Sequence, residues 1–249
     1  MYHLSVKYFS RRKGQSIVAA AAYRSGDRLN DRYYGVTHDF TVKGGIVYTN
    51  ILLPAGASEK LSEREILWNA VEQSEKRRDA RLAREVEGAL PADLALAEHI
   101  QMVERYVTAN FTALGMIADI AIHDKGTGNP HMHILLTTRT VDSDGFGLKN
   151  REWDKRENVT LWRREWANMQ NREFERKGLE KRVNHESYIV QDSKREPTIH
   201  LGYRVKELER SGIETDRGNE NHRIIQEREE QERQYQRKRE RGRNQERSR

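Results

Sequence analysis

The sequence of 249 residues predicts a protein of the α+β class with a highly charged C-terminal extension. Three observations support this fold class. Short segments in which every second residue is apolar are typical of half-buried strands. Longer segments with apolar residues three and four positions apart are typical of helices that bury one face. Two adjacent strand-like segments, joined by a short loop that contains glycine, predict an antiparallel hairpin.

The first part of the chain predicts two strands and a helix. Residues 2–8 alternate between apolar and polar side chains, which indicates a strand with one buried face. Residues 16–25 contain a run of alanines and predict a helix, and Gly26 follows where a C-terminal cap is expected. Residues 46–53 predict the second strand, because they are largely apolar and are bounded by glycine and proline.

The middle of the chain predicts a helix and a strand, followed by a further helix. Residues 61–78 predict the first of these helices, with a capping box formed by Ser62 and Glu65. Residues 81–90 predict a strand. Asp93 is expected to cap the helix that follows this strand.

A hairpin and a long helix complete the predicted globular part. Residues 117–123 and 131–138 predict the two strands of the hairpin, and the loop between them contains two glycines. Residues 159–177 predict the helix. Trp162 and Trp166 repeat at helical spacing, so we expect them to lie in the core rather than to stack on nucleic-acid bases.

The composition narrows the class of partner and the kind of site. The net charge of +6 favours a polyanionic partner such as nucleic acid or an anionic membrane surface. The absence of cysteine excludes disulfides, cysteine-ligated metal sites and thiol nucleophiles. The first residues do not resemble a signal peptide, and no segment approaches the roughly 20 apolar residues that a membrane span needs. We therefore expect a cytoplasmic protein without a membrane span.

The last part of the chain differs in composition from the rest. Residues 226–249 hold nine Lys or Arg and six Asp or Glu, with one large apolar residue. Such a segment cannot bury a core of its own. The sequence therefore predicts a domain over residues 1–215 and a charged extension or linker over residues 216–249, either helical or disordered.

Three histidines predict a metal site on the hairpin. His131 and His133 are two residues apart, so their side chains leave a strand on the same face. His123 belongs to the neighbouring strand of the predicted hairpin. Three neutral imidazoles on one sheet face can bind a divalent ion and leave positions open for substrate. The alternative is that each histidine is separately hydrogen-bonded.

Two acidic residues share a face of the preceding strand. Glu85 and Glu87 are separated by Val86, which points to the opposite face. Carboxylates on a half-buried face need hydrogen bonds or a nearby cation. They can orient a histidine or accept a proton, and we favour Glu85 for this role. The alternative is an edge strand with solvated charges.

Several segments, in this order along the chain, resemble the MobA/MobL (MobQ-class) family of conjugative relaxases. The family belongs to the His-hydrophobic-His endonuclease superfamily, and the resemblance covers about residues 1–215. The segments that carry it are residues 2–7 (YHLSVK), 19–26 (AAAAYRSG), 83–91 (AREVEGALP), 129–133 (NPHMH), 183–188 (VNHESY) and 196–202 (EPTIHLG).

The resemblance implies a fold, a reaction and roles for particular residues. The fold would be a central antiparallel sheet with helices packed against it. The protein would nick single-stranded plasmid DNA at the transfer origin and remain attached to the 5′ end, then rejoin the strand after transfer. Tyr23 would be the nucleophile, Glu85 the nearby acidic residue, and His123, His131 and His133 the ligands of a divalent ion, Mg²⁺ or Mn²⁺.

Further expectations follow from this implied reaction. Arg11, Arg12, Lys13 and Arg24 flank or belong to the helix that carries the nucleophile and are candidates for contacts with DNA phosphates. An ordinary solvated loop is the alternative. Relaxosome accessory proteins and a coupling protein of a type IV secretion system are the expected protein partners.

Other nucleophiles and other functions remain open at this point. Tyr33 and Tyr34 compete with Tyr23, because related enzymes use paired tyrosines. A rolling-circle replication initiator would share the nicking chemistry. A non-catalytic, metal-stabilised DNA-binding protein would need the histidines but not the tyrosine. A hydrolytic metallonuclease would release its product without a covalent adduct.

Overall fold

A computed structural model describes residues 2–186, 196, 198–199 and 201–247. The chain divides into two compact units, Met1–His185 and Glu186–Arg249. The strands are β1 (Leu4–Ser10), β2 (Arg28–Asp31), β3 (Val36–Asp39), β4 (Ile46–Leu52), β5 (Arg81–Ala89), β6 (Ala118–His123), β7 (His131–Leu136), β8 (Arg139–Asp142) and β9 (Gly145–Lys149). The α-helices are α1 (Ile17–Ser25), α2 (Arg64–Ser74), α3 (Leu96–Asn110), α4 (Arg156–Arg176), α5 (Tyr203–Arg210) and α6 (Asp216–Arg247).

A five-stranded sheet forms the centre of the first unit. Its strand order is β1-β5-β7-β6-β4, and every neighbouring pair is antiparallel. The α+β class and the central antiparallel sheet are therefore confirmed. Strand β5 lies between β1 and β7, so Glu85 and Glu87 do not lie on an edge strand with solvated charges.

The two faces of this sheet pack against different helices. One face is apolar and is covered by α3 and α4, with Tyr106, Trp162 and Trp166 fully or almost fully buried. The predicted core position of the two tryptophans is confirmed. The opposite face packs against α1 and α2 over part of its length and carries the polar side chains elsewhere. This division leaves one face of the sheet available for a site.

Helix α1 ends where the sequence predicts and begins one residue later, at Ile17. The hydroxyl of Ser16 accepts a hydrogen bond from the backbone N–H of Ala19 and caps the N-terminus. Gly26 follows the last turn at φ 74°, a left-handed conformation that glycine adopts without a steric penalty. Its backbone N–H donates to the carbonyl of Ala22. Both ends of the helix are thus set by local sequence.

The predicted starts of α2 and α3 are wrong. Glu63 is the N-cap of α2, and the Ser62 hydroxyl instead donates to the carbonyl of Glu59 within a preceding 3₁₀ turn. Ala95 occupies the N-cap of α3, where its backbone N–H donates to the Glu98 carboxylate. Asp93 instead pairs with a lysine distant in sequence. Other local hydrogen bonds, between Ser62 and Glu59 and between Ala95 and Glu98, therefore determine these two helix starts.

Two short hairpins were not predicted from the sequence. One is formed by β2 and β3, and the other by β8 and β9. Their strands are only four or five residues long. Such lengths give too few alternating positions for periodicity to reveal a strand.

The second unit contains α5 and α6. The charged C-terminal segment forms α6. The predicted boundary at residue 215 falls just before this helix. The division into domains at that residue stays a prediction. Residues 187, 188, 197 and 200, which belong to the two C-terminal segments of the resemblance, lie outside the described residues. Within the described part of the chain, no helix is long and apolar enough to span a membrane.

Candidate active site

Three histidines converge on the polar face of the sheet. His123 of β6 is paired with His131 of β7, and His133 lies opposite Ala121 in the same antiparallel register. The possible ligand atoms of the three histidines lie within 4.8 Å of one another. The structure therefore brings together all three residues that the sequence predicts as ligands.

Each imidazole is oriented by an oxygen acceptor. Nδ1 of His131 lies 2.9 Å from the carbonyl oxygen of Asn129, and Nε2 of His123 lies 2.6 Å from that of Arg24. Nδ1 of His133 lies 2.9 Å from the Glu85 carboxylate. Carbonyl and carboxylate oxygens only accept, so each histidine donates from the nitrogen named. A neutral imidazole then presents a lone pair on its other nitrogen.

This donor set fits a divalent metal ion. Nitrogen ligands that share one ion at about 2.1 Å lie within about 4.2 Å of one another, which is close to the observed spacing. Burial first, and then the neighbouring histidines and Lys43, lower the pKa of His123 to about 4, although the hydrogen bond to Arg24 opposes this. His123 is therefore neutral at pH 7, the state that coordination requires.

Glu85 connects the histidines to helix α1. Its Oε1 accepts hydrogen bonds from Nδ1 of His133 at 2.9 Å and from Nε of Arg24 at 2.6 Å. Burial alone would raise the pKa of Glu85, but these two partners outweigh it and lower the pKa to about 2. The buried carboxylate is therefore ionised, and it suits the orientation of a histidine better than the acceptance of a proton.

Tyr23 lies on α1, one residue before Arg24. Its side chain is 50% exposed, as a residue that meets a macromolecular substrate must be. The Tyr23 ring packs edge-on against the Phe40 ring, with 5.3 Å between the two ring centroids. Nζ of Lys43 lies 3.9 Å from the centroid of the Tyr23 ring. Through its carbonyl and its guanidinium, Arg24 contacts both His123 and Glu85. The helix that carries the predicted nucleophile is therefore connected to the histidine cluster through Arg24.

Tyr33 and Tyr34 occupy a different environment. They lie in the turn between β2 and β3, where their backbone N–H groups donate to the Asp31 carboxylate. The Arg11 guanidinium lies 4.3 Å from the ring centroid of Tyr33. Burial first, and then the Glu72 carboxylate, raise the pKa of Tyr34, which disfavours the phenolate that a nucleophile needs. What distinguishes Tyr23 from both is its place on α1, directly before the residue whose carbonyl contacts His123.

A family model described as the MobA/MobL family matches residues 15–211. The chain belongs to the MobA/MobL family. Mobilization protein MobL of Acidithiobacillus ferridurans is 34% identical, over 92% of this chain and 69% of its own length. The probable conjugal transfer protein TraA of Sinorhizobium fredii is also 34% identical, over 86% of this chain but only 22% of its own length.

A solved structure shares the fold of this MobA/MobL protein. It is described as "Molecular Basis of Vancomycin Resistance Transfer in Staphylococcus aureus". The TM-score is 0.72 at 34% identity, and the match covers 76% of this chain and 100% of the other. The family assignment and the α+β architecture therefore agree.

The basic residues predicted to contact DNA divide into two groups in this MobA/MobL chain. Arg12 and Lys13 are exposed, as a phosphate contact requires. Arg11 is buried, and its guanidinium donates to the Glu72 carboxylate at 2.6 Å and to nearby backbone carbonyls. The guanidinium of Arg24 is paired with Glu85. Burial and ion pairing thus direct Arg11 and Arg24 into the fold rather than towards a strand of DNA.

The contacts of Asp119 and Lys43 near this MobA/MobL site are not predictable from the sequence. Asp119 shares the face of His123, yet its carboxylate accepts hydrogen bonds from Arg64 and from the indole of Trp68. Arg64 also pairs with Asp27, directly after the C-cap of α1. Lys43, which contacts Tyr23, follows a short strand and precedes two glycines. Strand periodicity places Asp119 on the face of His123 but does not reveal its partners, which, like the partner of Lys43, are distant in sequence.

Proposed function

We propose that this chain is a conjugative relaxase that nicks one strand of plasmid DNA at the transfer origin. The observation that carries the proposal is the connection, through Arg24, between the helix of Tyr23 and the cluster of three histidines. Tyr23 is exposed on α1, and the next residue contacts both a metal-binding histidine and the carboxylate that orients another. A non-catalytic DNA-binding protein would need the histidines but no exposed tyrosine beside them.

The reaction is a transesterification by the Tyr23 hydroxyl. A bond forms between the phenolic oxygen and phosphorus while the bond between phosphorus and the 3′ oxygen breaks. The phenolic proton is released to solvent, and the departing 3′ oxygen gains a proton, so the number of protons balances. The product is a 5′-phosphotyrosyl link and a free 3′-hydroxyl. The reverse reaction rejoins the strand, because a phenolate is both a nucleophile and a good leaving group.

The side chains around Tyr23 would prepare this step. His123, His131 and His133 would hold a divalent ion, which when bound polarises the scissile phosphate and stabilises the charge that develops on it. Of the two expected ions, Mg²⁺ and Mn²⁺, an all-imidazole donor set favours Mn²⁺, because Mg²⁺ prefers oxygen ligands. Glu85 would act as a positioning residue that fixes the ring of His133.

Family membership supports the proposed substrate and partners. Two relatives are named as a mobilization protein and a probable conjugal transfer protein. From this we propose single-stranded DNA of the transfer origin as the substrate. We also propose relaxosome accessory proteins and a type IV coupling protein as partners. Exposed Arg12 and Lys13 beside α1 would add phosphate contacts, which increase affinity without selecting a sequence.

The proposal is tested by looking for a protein–DNA adduct. A fluorescent single-stranded oligonucleotide that contains the plasmid's transfer origin is incubated with the protein and Mn²⁺ or Mg²⁺, then separated on a denaturing protein gel. We expect a metal-dependent adduct that is absent in Tyr23→Phe and retained in Tyr33→Phe and Tyr34→Phe. Cleavage without an adduct would indicate a hydrolytic nuclease. Binding without cleavage, unchanged in Tyr23→Phe, would refute the proposal.

A further inference from the structure

We propose that Lys43 is a further catalytic residue of this site, whose ammonium group faces the Tyr23 phenolate and the scissile phosphate. The inference rests on the proposed function, because it assigns a charge partner to the reacting groups of the nicking step. Lys43 lies in the loop between β3 and β4, outside the segments that resemble the family.

Two contacts hold the Lys43 ammonium group at the nucleophile. Nζ donates a hydrogen bond of 2.6 Å to the backbone carbonyl of Tyr23. The same nitrogen lies 3.9 Å from the centroid of the Tyr23 ring, within the range of a cation–π contact. A cation in this place stabilises a ring that carries negative charge more than it stabilises a neutral one. The contact therefore places a positive charge against the ring of the proposed nucleophile.

The loop that carries Lys43 is fixed to α1 and to the sheet. The backbone N–H of Lys43 donates to the carbonyl of Phe40, and the N–H of Phe40 donates to the carbonyl of Asp27. Phe40 packs edge-on against the Tyr23 ring. The chain then turns at Gly45, which has φ 82° and where a Cβ atom would lie 2.7 Å from Cγ of Lys125. One turn thus brings both an aromatic edge and an ammonium group to Tyr23.

The surroundings of Lys43 are suited to an anion. Within the part of the chain that the structure describes, no carboxylate forms an ion pair with Lys43. Burial first, and then the charges of Arg24 and Lys125, lower the pKa of Lys43 to about 8. Placing cations together in a partly buried position costs free energy, which a bound phosphate would offset.

The adjacent surface can accept part of a DNA strand. A groove of about 380 Å³ beside Lys43 is lined by Ser25 and Gly26 at the end of α1 and by residues 46–49 of β4. Strand β4 lies at the edge of the sheet, so this groove is open to solvent. A phosphate at Tyr23 with a neighbouring nucleotide in the groove would place a non-bridging oxygen near Nζ of Lys43.

In the nicking step, Lys43 would act through its charge and keep its protons. The phenolic oxygen of Tyr23 bonds to phosphorus, the bond from phosphorus to the 3′ oxygen breaks, and protons exchange with solvent as described above. The ammonium group would stabilise the negative charge that develops on the scissile phosphate while the phenolic oxygen attacks. If Lys43 had only a structural role, its hydrogen bond to the carbonyl of Tyr23 would do no more than hold the loop against α1.

The test compares Lys43→Met and Lys43→Arg with the surface variant Lys60→Met. The rate of adduct formation is measured in a single turnover with the fluorescent transfer-origin oligonucleotide and Mn²⁺. Affinity is measured by fluorescence anisotropy in the Tyr23→Phe background, where no adduct forms. Thermal unfolding of each variant reports whether the loop contributes only to stability.

We expect Lys43→Met to slow adduct formation by about 100-fold, as the loss of one preorganised charge does. Lys43→Arg should retain most of the rate, affinity should change by less than about threefold, and unfolding should stay unchanged. A wild-type rate in Lys43→Met, or equal losses in both variants together with a lowered Tm, would overturn the inference while leaving the relaxase function intact. No adduct with the wild-type protein would overturn both.

Discussion

The carboxylate of Glu85 accepts a hydrogen bond of 2.9 Å from Nδ1 of His133, across two neighbouring strands of the sheet. The same oxygen accepts from Arg24, which directly follows Tyr23. An acidic residue thus connects the proposed metal site to the helix of the proposed nucleophile. Removing its charge should therefore affect metal binding first and the tyrosine only indirectly.

Glu85→Gln should weaken Mn²⁺ binding by about 10–100-fold, because the amide no longer fixes and polarises the imidazole of His133. Isothermal titration of the metal-free protein with Mn²⁺ measures this. Glu87→Gln is the matched control, since Glu87 lies two residues away and pairs with the exposed Lys7. An equal loss in both variants would show that the effect does not depend on the hydrogen bond between Glu85 and His133.

Arg12→Met and Lys13→Met should each lower the affinity for single-stranded DNA. Each should also reduce the slope of the logarithm of the binding constant against the logarithm of the salt concentration, by about one unit or less. These side chains are exposed beside α1 and can reach phosphates. Fluorescence anisotropy over a range of salt concentrations measures both effects. Affinity and slope that match those of the wild type would exclude these contacts.

Arg11→Met should lower the free energy of unfolding by about 3–5 kcal/mol, because it leaves the Glu72 carboxylate buried without its cation. Urea unfolding followed by circular dichroism measures the loss. A stable Arg11→Met protein with weakened DNA binding would mean that Arg11 faces the nucleic acid after all.

Arg64→Met should also destabilise the fold, by about 3–5 kcal/mol, since Arg64 pairs with the buried Asp119 and with Asp27 beside the C-cap of α1. Arg77→Met is the control, because the pair of Arg77 with Asp79 is largely exposed and contributes about 1 kcal/mol or less. Similar urea midpoints for the two variants would contradict the structural importance of Arg64.

The rate of adduct formation should depend on the charge of Lys43 as pH rises. Burial, Arg24 and Lys125 lower the pKa of Lys43 to about 8, so its cation is present below that pH and is lost above it. The guanidinium of Lys43→Arg stays protonated throughout. The ratio of the wild-type rate to the Lys43→Arg rate should therefore fall between pH 7 and pH 9, and a constant ratio would refute a titrating Lys43.

Local sequence was sufficient to predict those features of the fold that depend on residues close together in the chain. The alternation around His131 and His133 predicted that both imidazoles share a face, because side chains on a strand alternate. The alanine run predicted helix α1, and Gly26 predicted its C-terminal end. The four-residue strands were missed because they offer too few positions for a periodic pattern.

Long-range packing decided which charged side chains form buried ion pairs and which stay exposed. Arg11 and Arg12 are adjacent in the sequence and equally basic, yet the first is buried against Glu72 and the second is exposed. No local pattern distinguishes them, since the difference depends on which residue faces α2.

The sequence by itself determined the family, the three histidines on one sheet face and the helix that carries Tyr23. Only the tertiary structure decided that Glu85 contacts His133 and that Lys43 contacts Tyr23. The physical reason is that periodicity and capping record interactions within a few residues. Hydrogen bonds and cation–π contacts between distant segments depend instead on how the sheet and its loops pack.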